Sequence, residues 1–379
     1  MLTPRERVLC AINHEEPDRV PIMFGGSGAT SMLAAAYDSL KEHLGIRGET
    51  KVSSSLMQYA LLDEEVMARF GSDFRPLVLG PAVSTLTRQL PDNAVVDSWG
   101  TTWQRRPGVH YYEMVGWPVQ KATVDDVLRY PWPDLAHPSR FVGLKAQAQA
   151  IRSAGYASIV LTGINTHDIC QQLMGLEAWL TTLAAEPDLA HALMRQVTDR
   201  SCALATQLME EAGDFIDMVT IADDLGSQNA PLISPKMYRA LIKPYQAEII
   251  AAFKRRHPVK VFYHSCGSIY PLINDIIEIG VDLLNPVQVS AKNMGDTARL
   301  KKEFGSQISF CGGVDTQHVL PHGTSDDVRR EVRRRITDLG PGGGYVLSAV
   351  HAIQPDVPPE NVLAMFDEAR AVGKYPLAL

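Results

Sequence analysis

Cysteine is scarce and scattered in this chain. The five in 379 residues, Cys10, Cys170, Cys202, Cys266 and Cys311, form no CxxC pair and no dense framework. That excludes a disulfide scaffold, and the odd count predicts a reducing compartment, the cytoplasm. Positive charge is not in excess: 36 Lys and Arg face 43 Asp and Glu, a net charge of −7. Such a balance argues against a nucleic-acid partner. No apolar run approaches the length of a membrane span. The opening residues, MLTPRERVLCAINHEEPDRVP, are charged throughout, without the apolar core of a signal peptide. Low-complexity tracts and clear internal repeats are also lacking. What remains is an ordinary globular composition, 45% hydrophobic and 21% charged. The length suits two or three average domains, or one barrel.

Residues 259–267, VKVFYHSCG, carry the strongest chemical signal. β-Branched and aromatic residues predict a strand that stops at His264-Ser265-Cys266-Gly267, and residues 268–280 then read as an amphipathic helix. An imidazole and a thiol therefore leave the carboxyl end of a parallel strand, where α/β folds bind ligands. Two positions apart on a strand, the side chains face the same side. The pair suits a soft ion such as Zn²⁺, which needs a third ligand from elsewhere. A buried His and a buried Cys that merely pack at a strand end would leave the same trace.

Along the chain, Thr3-Pro4-Arg5-Glu6 reads as a capped start of a helix running to about His14. Residues 18–24 read as a strand opening into Gly25-Gly26-Ser27-Gly28. That loop is a tight turn or a phosphate cradle, and it lacks the Lys-Ser/Thr of a P-loop. Residues 32–44 and 54–70 read as helices, and 74–79 as a strand. Residues 94–123 alternate, turn near Pro107-Gly108 and alternate again, which predicts an inserted antiparallel hairpin. Its aromatics would roof a pocket or pack on one another. Residues 124–140 are Pro-rich and read as an ordered connection. Strands at 157–163, 217–222, 259–263, 281–284, 308–310 and 345–348 then alternate with helices. Counted from 20–24 there are eight, which predicts a (β/α)₈ TIM-type barrel spanning residues 1–379 as one domain.

Reading only the strand ends collects polar residues: Asp223 and Asp224, His264 and Cys266, Asn285 and Gln288, Cys311 with Asp315, and finally His351. Their regular placement predicts one shared pocket, with Gln228 and Tyr263 as further lining. His351 reads as a ligand, a catalytic group or a core histidine. Cys311 reads as a ligand or a small buried hydrophobe.

Five stretches resemble the uroporphyrinogen decarboxylase superfamily, which includes corrinoid-dependent methyltransferases. They are TPRERVLCAINHEEPDRVP, IADDLGSQNAPLISPKMYRALIKP, HSCGSIYPLINDIIEIGVDLLNPVQ, FCGGVDTQHVLPHGTSDDVRREV and PGGGYVLSAVHAIQPDVPPENVLAMF. The resemblance covers nearly the whole length and implies a TIM-type barrel, dimeric in many members. Two departures bear on the reaction. The decarboxylases carry arginines after the first strand, whereas this chain has none between Arg19 and Arg47. They also present an Asp at the end of the second strand, where this chain reads Leu77-Val78-Leu79-Gly80. A polycarboxylate needs cationic partners and a pyrrolic cation needs a carboxylate.

The methyltransferase branch uses a zinc site of His-x-Cys and a later cysteine. His264 and Cys266 match the first two, and the third falls on His351, with Cys311 as fallback. The resemblance thus implies a zinc-dependent methyltransferase. It would move a methyl group between a small O-, N- or S-methyl compound or thiol and a cobalamin held by a separate corrinoid protein, since this chain has no Asp-x-His-x-x-Gly motif. Asp223, Asp224 and His351 would be catalytic, and Gln228, Tyr263, Asn285, Gln288 and Asp315 would line the substrate pocket. A metal-independent decarboxylase or lyase on a non-porphyrin substrate is the alternative, and a ligand-binding barrel without chemistry is a third reading.

Overall fold

The computed structural model describes residues 1–378. Seven parallel strands form its central sheet: β1 (Phe74–Val78), β2 (Ala157–Asn165), β3 (Met218–Ala222), β4 (Lys260–His264), β5 (Leu283–Asn285), β6 (Ser309–Val314) and β7 (Tyr345–Ala349). They are hydrogen-bonded in chain order. Between them run helices such as Pro187–Ala212, Lys243–Lys254 and Ser325–Leu339, because a parallel neighbour can be reached only by a crossover.

The eighth position belongs to residues 20–24. On one side Met23 N donates to Leu347 O (3.0 Å) and Leu347 N to Pro21 O (2.9 Å); on the other, Asp73 N donates to Ile22 O (2.9 Å). Side chains supply the remaining acceptors. Asp73 Oδ2 takes Ile22 N–H (2.8 Å) and Ser72 Oγ takes Phe24 N–H (3.1 Å). Pro21 has no N–H to offer, so this strand is reduced to bridges, yet it closes the (β/α)₈ barrel. The closure is clamped by charge. The buried Asp73 carboxylate binds Arg7 Nη1 (2.6 Å) and Arg19 through Nη1 and Nη2 (both 2.9 Å). Asp18 holds Arg7 from its other edge, at 2.6 and 3.0 Å.

The helix Pro4–Ile12, with the expected Thr3/Glu6 capping box, plugs the amino-terminal end of the barrel. Its Val8 and Ile12 join Met23, Phe74, Ile159, Met218, Phe262, Leu283, Cys311 and Val346 in one interior layer. Strand alternation sends Val261 and Tyr263 outward to the helices while Phe262 and His264 face the axis.

Three local expectations are corrected. Residues 54–70 are not a helix. Lys51–Ser54 and Tyr59–Leu61 form an antiparallel hairpin, and only Glu64–Arg69 is helical. Tyr59 bridges Leu33, so tertiary pairing overrides the helical periodicity there. The insertion is a four-stranded antiparallel sheet, Arg88–Leu90, Ala94–Val96, Thr102–Gln104 and Glu113–Gly116, rather than one hairpin. Asp97 breaks the apparent strand at 95–103: its Oδ1 takes the N–H groups of Trp99 (2.9 Å) and Thr101 (3.0 Å), and its Oδ2 takes Trp103 Nε1–H (2.8 Å). The helix expected at 268–280 shortens to a 3₁₀ turn, Tyr270–Leu272, and Ile273–Glu278.

The clamp generates a stability prediction. Asp73→Ala leaves two guanidiniums in the barrel wall without their shared carboxylate and takes the acceptor from Ile22 N–H. Loss of about 3–5 kcal/mol is expected, read from urea unfolding at neutral pH. A loss below about 1 kcal/mol, the scale of an exposed ion pair, would show that closure does not depend on this carboxylate.

Candidate functional site

The site is built where β4 ends. His264 pairs with Ala222 of β3 and Asn285 of β5, and it faces the barrel axis. Its Nδ1 lies 2.6 Å from Asn285 Oδ1. The Asn285 amide nitrogen donates to Cys311 O (3.3 Å), so the oxygen is the atom turned to the imidazole. His264 therefore carries its proton on Nδ1 and presents an Nε2 lone pair.

The turn that follows is held at each successive N–H. Ser265 N donates to Asn285 O (2.7 Å), Cys266 N to Asp224 Oδ1 (2.7 Å) and Gly267 N to Gln288 Oε1 (2.6 Å). Gly267 has φ +89°, and a Cβ there would lie 2.4 Å from the Gly226 backbone, so only glycine fits. The turn brings Cys266 Sγ to 3.3 Å from His264 Nε2. His351 arrives from the end of β7, its ring 5.4 Å from that of His264 in an edge-to-face arrangement. The donor atoms of His264, Cys266 and His351 all lie within 4.8 Å of one another.

The protonation states suit a cation. Burial, then the neighbouring His264, pushes the His351 pKa down to about 4, so its imidazole is neutral at pH 7. Burial and the Asp224 carboxylate push the Cys266 thiol far above its usual range. A divalent ion among these three atoms would supply the positive charge that thiolate formation lacks. An imidazole pair and a sulfur form a donor set that fits zinc.

Carboxylates stand behind this set. Asp168, in the first turn of the helix His167–Met174, accepts Asp224 N–H at 3.0 and 3.1 Å. Asp223 accepts Asp168 N–H (2.9 Å) and Gln246 Nε2–H (2.6 Å). Gln246 Nε2 also reaches Tyr263 OH (2.9 Å), and Tyr238 OH donates to Gln246 Oε1 (2.8 Å). Burial raises Asp223 to about 7, and burial with its two carboxylate neighbours raises Asp168 strongly.

The expected residues thus separate. His264, Cys266, His351, Asp224, Asn285 and Gln288 come together. Asp223, expected to be catalytic, and Tyr263, expected to line the substrate pocket, are fully buried in the layer between sheet and helices, where strand alternation sends Tyr263. Cys311 lies in the apolar interior layer, outside the three-donor cluster. Asp315 holds its own turn, accepting Gln317 N–H (2.7 Å) and facing His318 Nδ1 (3.0 Å). Gln228 reaches the site through Gln288, whose amide donates to its Oε1 (3.2 Å).

The uroporphyrinogen decarboxylase (URO-D) family model matches residues 134–372. The chain belongs to the uroporphyrinogen decarboxylase family. It is 26% identical over 197 residues to a uroporphyrinogen decarboxylase of Legionella pneumophila, covering 51% of each chain. It is 30% identical over 184 residues to one from Chlorobium phaeobacteroides, covering 47% of each. The match thus spans about half the length of these curated relatives. Among solved structures, a methyltransferase from Methanosarcina mazei superposes with a TM-score of 0.64 at 18% identity, covering 98% of this chain and 99% of that one. That likeness is one of fold.

Sequence reading missed Asp168, Gln246, His167 and Tyr59. Asp168 was accessible in principle, since it follows the end of β2 as Asp223 follows β3. Nothing in the sequence pointed to the other three. The fully buried His167 accepts Trp179 Nε1–H at Nδ1 (2.9 Å), so its proton sits on Nε2, which has no partner. Burial lowers its pKa to about 4. The unfolded imidazole titrates near 6.5. As pH falls, the unfolded chain therefore takes up the proton first. Stability is complete above about pH 6.5 and is lost progressively toward pH 4. His167→Gln should flatten the fall of the urea midpoint across that window. An unchanged slope would show that the folded protein accepts a proton at His167.

Proposed function

We propose that this URO-D family member is a zinc-dependent methyltransferase acting between a small methylated compound or thiol and a methyl carrier on a separate corrinoid protein. The observation that carries the reading is the convergence of three soft-metal donors, His264, Cys266 and His351, from two strand ends and a turn. Zinc held by these three residues would supply Lewis-acid chemistry, lowering the pKa of a thiol or polarising a methylated O, N or S atom.

The chain's own groups support that role. Asn285 fixes the His264 tautomer so that Nε2 faces the site. Asp224 pins the Cys266 backbone and lies 3.8 Å from His264 Nε2, where its carboxylate would accept a proton released from a substrate thiol. Asp168 and Asp223 hold Asp224 in turn.

Metal content tests the reading. The wild-type chain purified without chelator should carry about one zinc per chain, the stoichiometry of a single catalytic site. Cys266→Ala should abolish it, since it removes the one anionic donor, and His351→Ala should weaken it. Ser265→Ala should retain the metal: Ser265 Oγ turns away and accepts Leu225 N–H (3.0 Å). A metal-free wild type after zinc supplementation would move the decarboxylase-type reading ahead.

The URO-D relatives favour that second reading, decarboxylation of some acidic substrate, and uroporphyrinogen is its natural control. Residues 20–30 carry no arginine. The loop that would bear one is packed instead, with Gly25 against Leu62 and Gly28 against Tyr59. Anaerobic incubation with uroporphyrinogen should yield no coproporphyrinogen. Clear turnover would overturn the zinc reading in favour of tetrapyrrole chemistry.

A further inference from the structure

The backbone carries a tyrosine to the three donors. Beyond His351 the chain reaches Ile353, which bridges Met32 in parallel. Leu33 N donates to Ile353 O and Ile353 N to Ser31 O, both at 3.0 Å. Leu33 bridges Tyr59 in antiparallel fashion, with Ala60 N donating to Met32 O (2.8 Å) and Ala34 N to Gln58 O (2.9 Å). This three-segment ladder sets the Tyr59 ring beside His351, with centroids 6.3 Å apart and planes at 58°. Gly28 makes the room, because a Cβ there would meet the Tyr59 ring at 2.5 Å.

Among the described residues the Tyr59 hydroxyl has no hydrogen-bond partner, and its charged surroundings are Cys266, Asp224 and Tyr111. Burial first, then those groups, pushes the phenol up to about 12. At neutral pH it is a proton-bearing donor with the Cys266 and Asp224 side chains among its neighbours. Half-buried beside His351 and without a protein partner, this donor is free to bind a ligand. The hairpin that bears it lies outside the stretch matched by the URO-D family, residues 134–372.

We infer that the Tyr59 hydroxyl is the hydrogen-bond donor to the sulfur of a small thiol held in front of His264, Cys266 and His351. The inference rests on the zinc methyltransferase reading and adds the residue that recognises the substrate. A thiol matches the soft character of the site. As its proton leaves toward Asp224, the sulfur gains charge, and an O–H donor aimed at it strengthens with that charge.

The test uses the full chain with its zinc content measured, and 2-mercaptoethanol titrated calorimetrically at pH 7.5. Tyr59→Phe keeps the ring and removes the donor. Affinity for the thiol should fall about ten- to a hundred-fold, the range for a hydrogen bond to a charged group, with zinc content unchanged. Gly28→Ala, which displaces the ring without touching any donor, should give a similar loss. If the wild type holds no zinc, the methyltransferase reading falls and this inference falls with it. If zinc is bound but the thiol binds Tyr59→Phe as well as wild type, or binds neither protein, the inference alone is overturned.

Discussion

The barrel depends on one buried carboxylate. Asp73 accepts from Arg7, from Arg19 and from the Ile22 backbone, and through them it draws residues 20–24 between β1 and β7. Those residues cannot form a full ladder, because Pro21 lacks a donor and side chains replace two of the acceptors. Charge makes good what the backbone cannot. Closure has consequences at the opposite end. Once β7 is seated against residues 20–24, His351 at its end faces His264 at the end of β4. The segment 31–33 is then aligned with residue 353, and Tyr59 follows. Clamp and site are thus parts of one hydrogen-bonded continuity running around the first and last strands.

A second constraint acts on the loop after β4. Three successive N–H groups are each given an acceptor, from Asn285, Asp224 and Gln288. The thiol is thereby placed by its backbone rather than by its own rotamer alone, and preorganisation of this kind keeps a site from loosening. The acceptors perform double duty. Asn285 also decides the His264 tautomer, and Asp224 adds to the burial that keeps the Cys266 thiol protonated in the absence of a cation. The carboxylates of Asp168 and Asp223 extend the support one step further, in burial deep enough to raise both pKa values. Perturbed groups beside a convergent donor set are what the proposed zinc chemistry requires.

Membership of the uroporphyrinogen decarboxylase family leaves the reaction open, since one barrel hosts many chemistries through its loops. The amino-terminal third, outside the matched stretch, builds the roof over the strand ends. The hairpin Lys51–Leu61 and the four-stranded insertion meet above the mouth, where Tyr112 N donates to Leu56 O (2.9 Å). Of the glycines at residues 25–28, read as a turn or a phosphate cradle, Gly28 serves as clearance for Tyr59 of that hairpin, Gly25 for Leu62 just after it, and Gly26 for Met23.

The sequence by itself determined the strand-and-helix alternation, the capped first helix and the placement of His264, Cys266 and His351 at strand ends. Each of these is encoded locally, in periodicity of two, in a Thr-x-x-Glu box, or in the residue that follows an apolar run. The exchange of helix for hairpin at residues 51–61 was beyond it, because the partners of that hairpin are Met32 and Leu33, and theirs is Ile353, more than three hundred positions away. The same holds for facing. Tyr263 and Asp223 sit at the right ends of the right strands but on the outer side, and Cys311 points inward one layer too deep. Which of several strand-end residues share a site is a matter of barrel register and closure. Those follow from long-range hydrogen bonds and a buried ion pair, and no local pattern records them.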